Sequence, residues 1–182
     1  MNEKFKNLLY LVKSCLGGEE LREPGNFVLP KLNRCFFIRL TILALITYIF
    51  FGFIAVPALV KGPSMEPTYK RIGFNFCWRP TYWFSSPKRG DVVIIRYTSK
   101  TLYLKRVVAL AGDRVAFRDG KLYVNGKYVQ ESYVKNPSHW VLPEKVVKPG
   151  KIYVVGDNRS MPIYQHKFGQ VLIKRLYGAP LW

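Results

Sequence analysis

Acidic residues are scarce in this chain. Across 182 residues, 11 Asp and Glu stand against 29 Lys and Arg, leaving a net charge of +18. Such a deficit points the molecule toward anionic partners, either nucleic acid or phospholipid. The basic residues are scattered rather than gathered in one helix or arm, which favours a face turned to anionic lipid; no nucleic-acid partner is expected. Cysteine is sparse too. Cys15, Cys35 and Cys77 cannot build the framework of a disulfide-stapled secreted domain, and all three are read as free thiols. The two histidines, His139 and His166, have no cysteine or carboxylate beside them at ligand spacing, so neither a metal site nor a cofactor is expected. After Lys61 there is no helical periodicity of useful length, and no internal repeat occurs.

What the chain does have is one long uncharged stretch. Leu40 to Val60 is 21 residues bracketed by Arg39 and Lys61. As a helix it would extend roughly 30 Å, enough for one bilayer crossing. A buried core helix of that length would normally show a polar face. A cleavable leader is disfavoured because the run starts late and exceeds a normal hydrophobic region, although Val56-Pro57-Ala58 resembles a cleavage site. Lys31, Arg34 and Arg39 flank one end, and Lys61, Lys70 and Arg71 the other, so the charge count leaves the orientation open. The chain therefore divides into a short basic segment over 1–39, a transmembrane helix over 40–60 and a domain over 61–182. Within the first segment, Leu8–Val12 and the Gly17-Gly18 break fit either an interfacial helix or an unstructured tail.

The third part reads as β structure. Val92–Tyr97, Tyr103–Leu110, Ile152–Val155 and Val171–Arg175 are rich in β-branched and aromatic residues. Asp119-Gly120 and Asn125-Gly126 mark two tight hairpins in Val115–Val129. The predicted fold is mainly β, with antiparallel sheets coiled into a sandwich or partial barrel. Between Phe74 and Phe84 the sequence is dense in aromatics with basic neighbours, a composition suited to the headgroup zone of a membrane.

Four motifs carry the chemistry. Ser64 lies in Gly62-Pro63-Ser64-Met65-Glu66-Pro67-Thr68, just past the apolar run. Arg89-Gly90-Asp91-Val92-Val93 follows. Lys105 lies in Tyr103-Leu104-Lys105-Arg106-Val107-Val108-Ala109-Leu110-Ala111-Gly112-Asp113, and Gly156-Asp157-Asn158-Arg159 comes last. A serine becomes a nucleophile when a positioned base takes its proton, and a desolvated lysine can be that base. In order and context these motifs resemble those of type I signal peptidases, from the apolar run through Gly169.

The resemblance implies a Ser-Lys endopeptidase that cleaves signal peptides from translocated pre-proteins after Ala-x-Ala-like sites. It implies Ser64 as nucleophile and Lys105 as general base. Met65, Tyr103 and Leu104 would shape the substrate cleft, with the Ser64 N–H as oxyanion donor. Gly62, Arg106, Asp113, Gly156, Asp157, Asn158, Ser160 and His166 would support the site, the two aspartates by binding backbone N–H groups in turns. It also places the catalytic domain on the extracytoplasmic side of the cell membrane, with phospholipid as partner and the secretion translocon nearby. Some family members carry a serine two residues before the nucleophile as a second oxyanion donor; here that residue is Gly62. The family's Asn-Ser-x-Asp-Ser-Arg continuation is replaced by Ser160-Met161-Pro162-Ile163-Tyr164-Gln165-His166. Lys105 is then expected to be oriented by Ser160 or a backbone carbonyl, and Tyr164 and His166 to replace an Asp-Arg ion pair with a neutral hydrogen bond. The interval from Asp113 to Gly156 has no room for a second β domain. Competing readings are a dedicated pilin or conjugation-protein peptidase, and a non-catalytic tethered domain that binds anionic polymer.

Overall fold

The structure, a computed structural model, describes residues 3–16, 33–98, 101–135 and 137–182. It falls into two compact units, Met1–Gly52 and Phe53–Trp182. Helix α1 (Glu3–Leu16) and helix α2, helical over Arg34–Ile54 with a π-type last turn whose last two residues fall in the second unit, are joined by a disulfide between Cys15 and Cys35. This differs from the reading of three free thiols. Twenty residues of sequence separate the pair, but the helix pairing brings their Cα atoms to 5.1 Å, within ordinary bridging distance. Cys77 remains free and fully buried; burial pushes its thiol up to about 11, which leaves it inert. Helix formation over Leu8–Val12 favours the helical reading of that segment, whereas Gly17-Gly18 lies outside the described residues.

The apolar run is not helical throughout. Asn33 caps α2 by accepting the Phe36 N–H at 2.8 Å, so the helix starts before Leu40, as a side-chain cap dictates. It stops at Ile54, and Ala55–Lys61 forms strand β1. Pro57 explains the change, since it disfavours helix at Val56 and lacks an N–H to donate. A proline survives in a sheet only at an edge, and β1 is the edge strand of its sheet.

The second unit is all antiparallel β. A seven-stranded sheet has the order β1-β2-β11-β3-β4-β9-β10, and a four-stranded sheet the order β7-β6-β5-β8. The strands are β2 (Ile72–Trp78), β3 (Val92–Arg96), β4 (Leu102–Ala109), β5 (Arg114–Arg118), β6 (Lys121–Val124), β7 (Lys127–Tyr128), β8 (Leu142–Val146), β9 (Lys151–Val155), β10 (Gly169–Leu172) and β11 (Leu176–Pro180). The last predicted strand is shorter than expected, because Ile173–Arg175 turns as a 3-10 helix. One core, around Phe117, Leu122, Trp140 and Val155, includes residues of both sheets; another, around Val93, Val107, Ile152 and Val154, lies within the larger one.

Both hairpin signals are realised. Asp119 and Gly120 have φ of 48° and 73°, and Asn125 and Gly126 have 54° and 76°, the left-handed pairs of type I′ turns. The two glycines differ in surroundings. A Cβ at Gly120 would sit 1.7 Å from the Ser138 carbonyl oxygen, whereas one at Gly126 would meet nothing within 4 Å. Gly126→Ala should therefore cost about 1 kcal/mol from φ alone, and Gly120→Ala at least about 2 kcal/mol more. Equal denaturation midpoints for the two variants would show that the Ser138 backbone moves aside freely.

Candidate active site

Lys105 occupies the middle of β4, which lies between β3 and β9. Its pairing partner on β3 is Val93, and it shares a strand face with Tyr103 and Val107. Only 3% of its surface is exposed. Burial dominates its titration and pulls the ammonium down to about 8, with the Asp157 carboxylate opposing the shift. A base that is partly neutral near physiological pH is what a serine needs.

Ser64 is delivered by a 3-10 turn, Pro63–Met65, that packs against β4. Ser64 is half-buried and its neighbour Met65 is buried. Among the described residues neither the Ser64 hydroxyl nor the Lys105 ammonium has a hydrogen-bond partner. Such contacts often tighten only when substrate is bound. Gly62 enters the turn at φ 116°, a conformation in which any side chain is strained. This explains why no hydroxyl stands two residues before Ser64.

The loop 156–159 clamps this turn. The Asn158 N–H donates to the Ser64 carbonyl at 3.1 Å, and its side-chain amide donates to the Pro63 carbonyl at 3.0 Å. Gly156 is required by close approach, since a Cβ there would lie 2.1 Å from the Ser64 oxygen and 2.7 Å from the His166 ring. Asp157 is fully buried and bonds side chains, not the backbone N–H groups expected of it. Arg106 donates Nε to Oδ1 at 2.9 Å and Nη2 to Oδ2 at 2.7 Å, and the Thr68 hydroxyl donates at 2.6 Å. Asp113 does accept the Leu110 N–H, at 2.7 Å, together with Arg89 and Asn125.

Two assignments in the altered motif are corrected. The Ser160 hydroxyl donates to the Asn158 side chain at 2.7 Å and is not bonded to Lys105. Ile163–Gln165 forms a 3-10 turn, so Tyr164 and His166 do not share the face of an extended segment. Tyr164 is 79% exposed while His166 is buried. His166 instead donates Nε2–H to the Asn158 carbonyl at 2.9 Å. Its Nδ1 is the buried side-chain polar atom without a partner among the described residues. Burial first, then the charge on Lys105, push His166 down to about 4, so it is neutral at pH 7.

Glu131 escaped the sequence reading. Arg159, 1% exposed, donates to both Glu131 oxygens at 2.9 and 2.5 Å, and its Nε reaches the Gly156 carbonyl at 2.9 Å. Tyr133 donates to Glu131 at 2.5 Å and lies 3.9 Å from the Arg106 guanidinium, ring centre to carbon. Sequence offered no signal for this pair, because the acid nearest Arg159 in the chain, Asp157, is taken by Arg106. No linear spacing identifies the partner of Arg159.

A cleft of about 410 Å³ opens over Lys105, walled by Ile95, Tyr103, Val154, Phe168 and Val171, with Lys151 and Lys167 also on its lining. Tyr103 therefore lines the cleft. Leu104, one residue on, faces the other side of the strand and does not. His139 is exposed beside Asp119, and no metal-binding cluster occurs among the described residues.

Burial of Lys105 makes a prediction about stability. Below about pH 8 both folded and unfolded chains hold the proton, and the full desolvation cost is present. It fades between about 8 and 10.5 as the folded lysine deprotonates first. Each tenfold loss of proton affinity on folding costs about 1.36 kcal/mol, so Lys105→Met should raise stability at pH 7 by on the order of 3 kcal/mol. The gain should vanish above pH 10.5. A pH-independent difference in denaturant midpoints would refute a charged, buried lysine.

The family described as signal peptidase, peptidase S26, matches residues 34–179. Signal peptidase I of Bacillus licheniformis is 34% identical over 140 residues, covering 70% of this chain and 75% of that protein. Thylakoidal processing peptidase 1 of Arabidopsis thaliana is 30% identical over 149 residues, covering 75% of this chain but only 44% of the plant protein. A signal peptidase I crystal structure from Enterococcus faecalis aligns at 25% identity and a TM-score of 0.42, over 52% of this chain and 97% of that one.

Proposed function

The chain belongs to the signal peptidase family, peptidase S26, and on that premise we propose that it is a membrane-anchored serine endopeptidase removing signal peptides from translocated pre-proteins. The observation that carries this reading is Lys105, buried in a central strand against which the Ser64 turn packs, lowered to about 8 and lining a cleft. Neutral Lys105 takes the Ser64 hydroxyl proton as Oγ attacks the scissile carbonyl. The resulting lysine ammonium then protonates the leaving amine, and water clears the acyl-enzyme by the same route. With Gly62 unable to offer a hydroxyl, the oxyanion rests on backbone donors, the Ser64 N–H foremost. The apolar part of the cleft wall, Ile95, Val154, Phe168 and Val171, suits small uncharged side chains such as those of an Ala-x-Ala end.

Helix α2 has a mean hydropathy of 2.2 over its most apolar window and buries none of it, which supports a single membrane crossing. The β domain also leaves large apolar side chains in water, among them Ile72 at 74% and Phe84 at 95% exposure. Those side chains fit the headgroup layer on the extracytoplasmic side, where pre-proteins emerge near the translocon.

In detergent, Ser64→Ala and Lys105→Arg should each lower cleavage of an Ala-x-Ala pre-protein by about a thousandfold or more. The Ser64→Ala/Lys105→Ala double variant should be no worse, because the pair acts as a unit. A guanidinium cannot shed its proton at working pH. The rate should rise with pH through about 8, following Lys105. Persistent cleavage by Ser64→Ala prepared free of host peptidase would sink the assignment.

A further inference from the structure

A second cavity, of about 460 Å³, lies beside the substrate cleft and shares Tyr97 and Arg175 with it. Four of its lining residues are cations, Arg79, Arg96, Lys174 and Arg175, and none is acidic. Among the described residues, none of the four belongs to a salt bridge. Arg79 and Arg96 both stack on the Tyr177 ring, at 4.9 and 4.3 Å from its centre. Holding two guanidinium groups on one ring without a counter-ion costs repulsion, and a concave site lined by one sign of charge focuses the potential on an anion. Guanidinium forks match the oxygens of a phosphate.

Position narrows the source of that anion. Arg79 Nη1 donates to the Phe53 carbonyl at 3.0 Å, in the last turn of the apolar helix. Trp83, on the cavity wall, is 55% exposed, and Phe84 beside it is 95% exposed. A cationic cavity bonded to Phe53 and flanked by bare aromatic rings has the composition of a headgroup site.

We propose that the cavity lined by Arg79, Arg96, Lys174 and Tyr177 is a binding site for the phosphate headgroup of an anionic phospholipid. The proposal rests on the reading of α2 as a membrane span. Through Tyr97 and Arg175, a bound lipid borders the cleft over Lys105.

The test uses the full chain in neutral detergent, titrated with short-chain phosphatidylglycerol or phosphatidylcholine and read by native mass spectrometry. Phosphatidylglycerol should be retained and phosphatidylcholine not. Arg96→Gln/Lys174→Gln should weaken retention at least tenfold. Lys121→Gln/Lys145→Gln, which removes the same charge from exposed positions on the four-stranded sheet, should leave it unchanged. Equal losses in the two double variants would reduce the effect to net charge and overturn the site. Displacement by inorganic phosphate at the concentration of lipid itself would make it a site for a soluble anion, and tighter binding of an oligonucleotide through the same residues would make it a nucleic-acid site; either overturns the proposal. Lipid retention does not depend on catalysis, and alkaline extraction of the chain from membranes tests the span separately, so failure of each reading shows on its own.

Discussion

Everything in the β domain that bears on chemistry follows from keeping one ammonium out of water. A lysine at the middle of a seven-stranded sheet, flanked by strands on both sides, has little solvent with which to stabilise its charge. Its proton is held weakly as a result. Nothing in the neighbourhood cancels the effect. Asp157, the carboxylate that attracts it, is committed to Arg106 and Thr68, and the adjacent imidazole of His166 is kept neutral. A free carboxylate at the same position would restore the charge on Lys105.

The price of that arrangement is a dense set of buried polar groups, and the 156–159 loop gathers them. Glycine at 156 lets the loop approach the Ser64 carbonyl, and Asn158 then fixes the turn by two hydrogen bonds. The neighbouring side chains, Asp157 and Arg159, each find an opposite charge from a distant strand or loop. Tyr133 links the two pairs. Breaking one partner of such a pair strands the other in a medium that solvates it badly. The Ser64 turn is thus held by a buried polar network gathered from distant segments.

How much of this was legible in sequence depended on whether the cause was local. The Asp-Gly and Asn-Gly turns and the strands around Lys105 were readable because short-range sterics and strand patterning decide them. The helix limits were not. Hydropathy alone sees a continuous apolar run from Leu40 to Val60, while an asparagine cap and a proline set the true bounds at Arg34 and Ile54. Tyr164 and His166 would pair only on an extended backbone, which the 3-10 turn removes. Glu131 and the Cys15–Cys35 bridge went unseen because each depends on chain segments brought together only by folding.

Strand β1 begins at the residue after the apolar helix ends, so the junction contains no spare length. Ten peptide units separate Ile54 from Ser64, and fully extended they reach no more than about 35 Å. A linker made of loop could absorb an insertion by bulging. Here one added residue between Ala55 and Lys61 would shift the strand's register, turning Ala55 outward and its solvent-facing neighbours inward. The stretch of chain from Ile54 to Ser64 behaves as a gauge block: changes in it have to come in pairs of residues, or be compensated across the β1–β2 ladder.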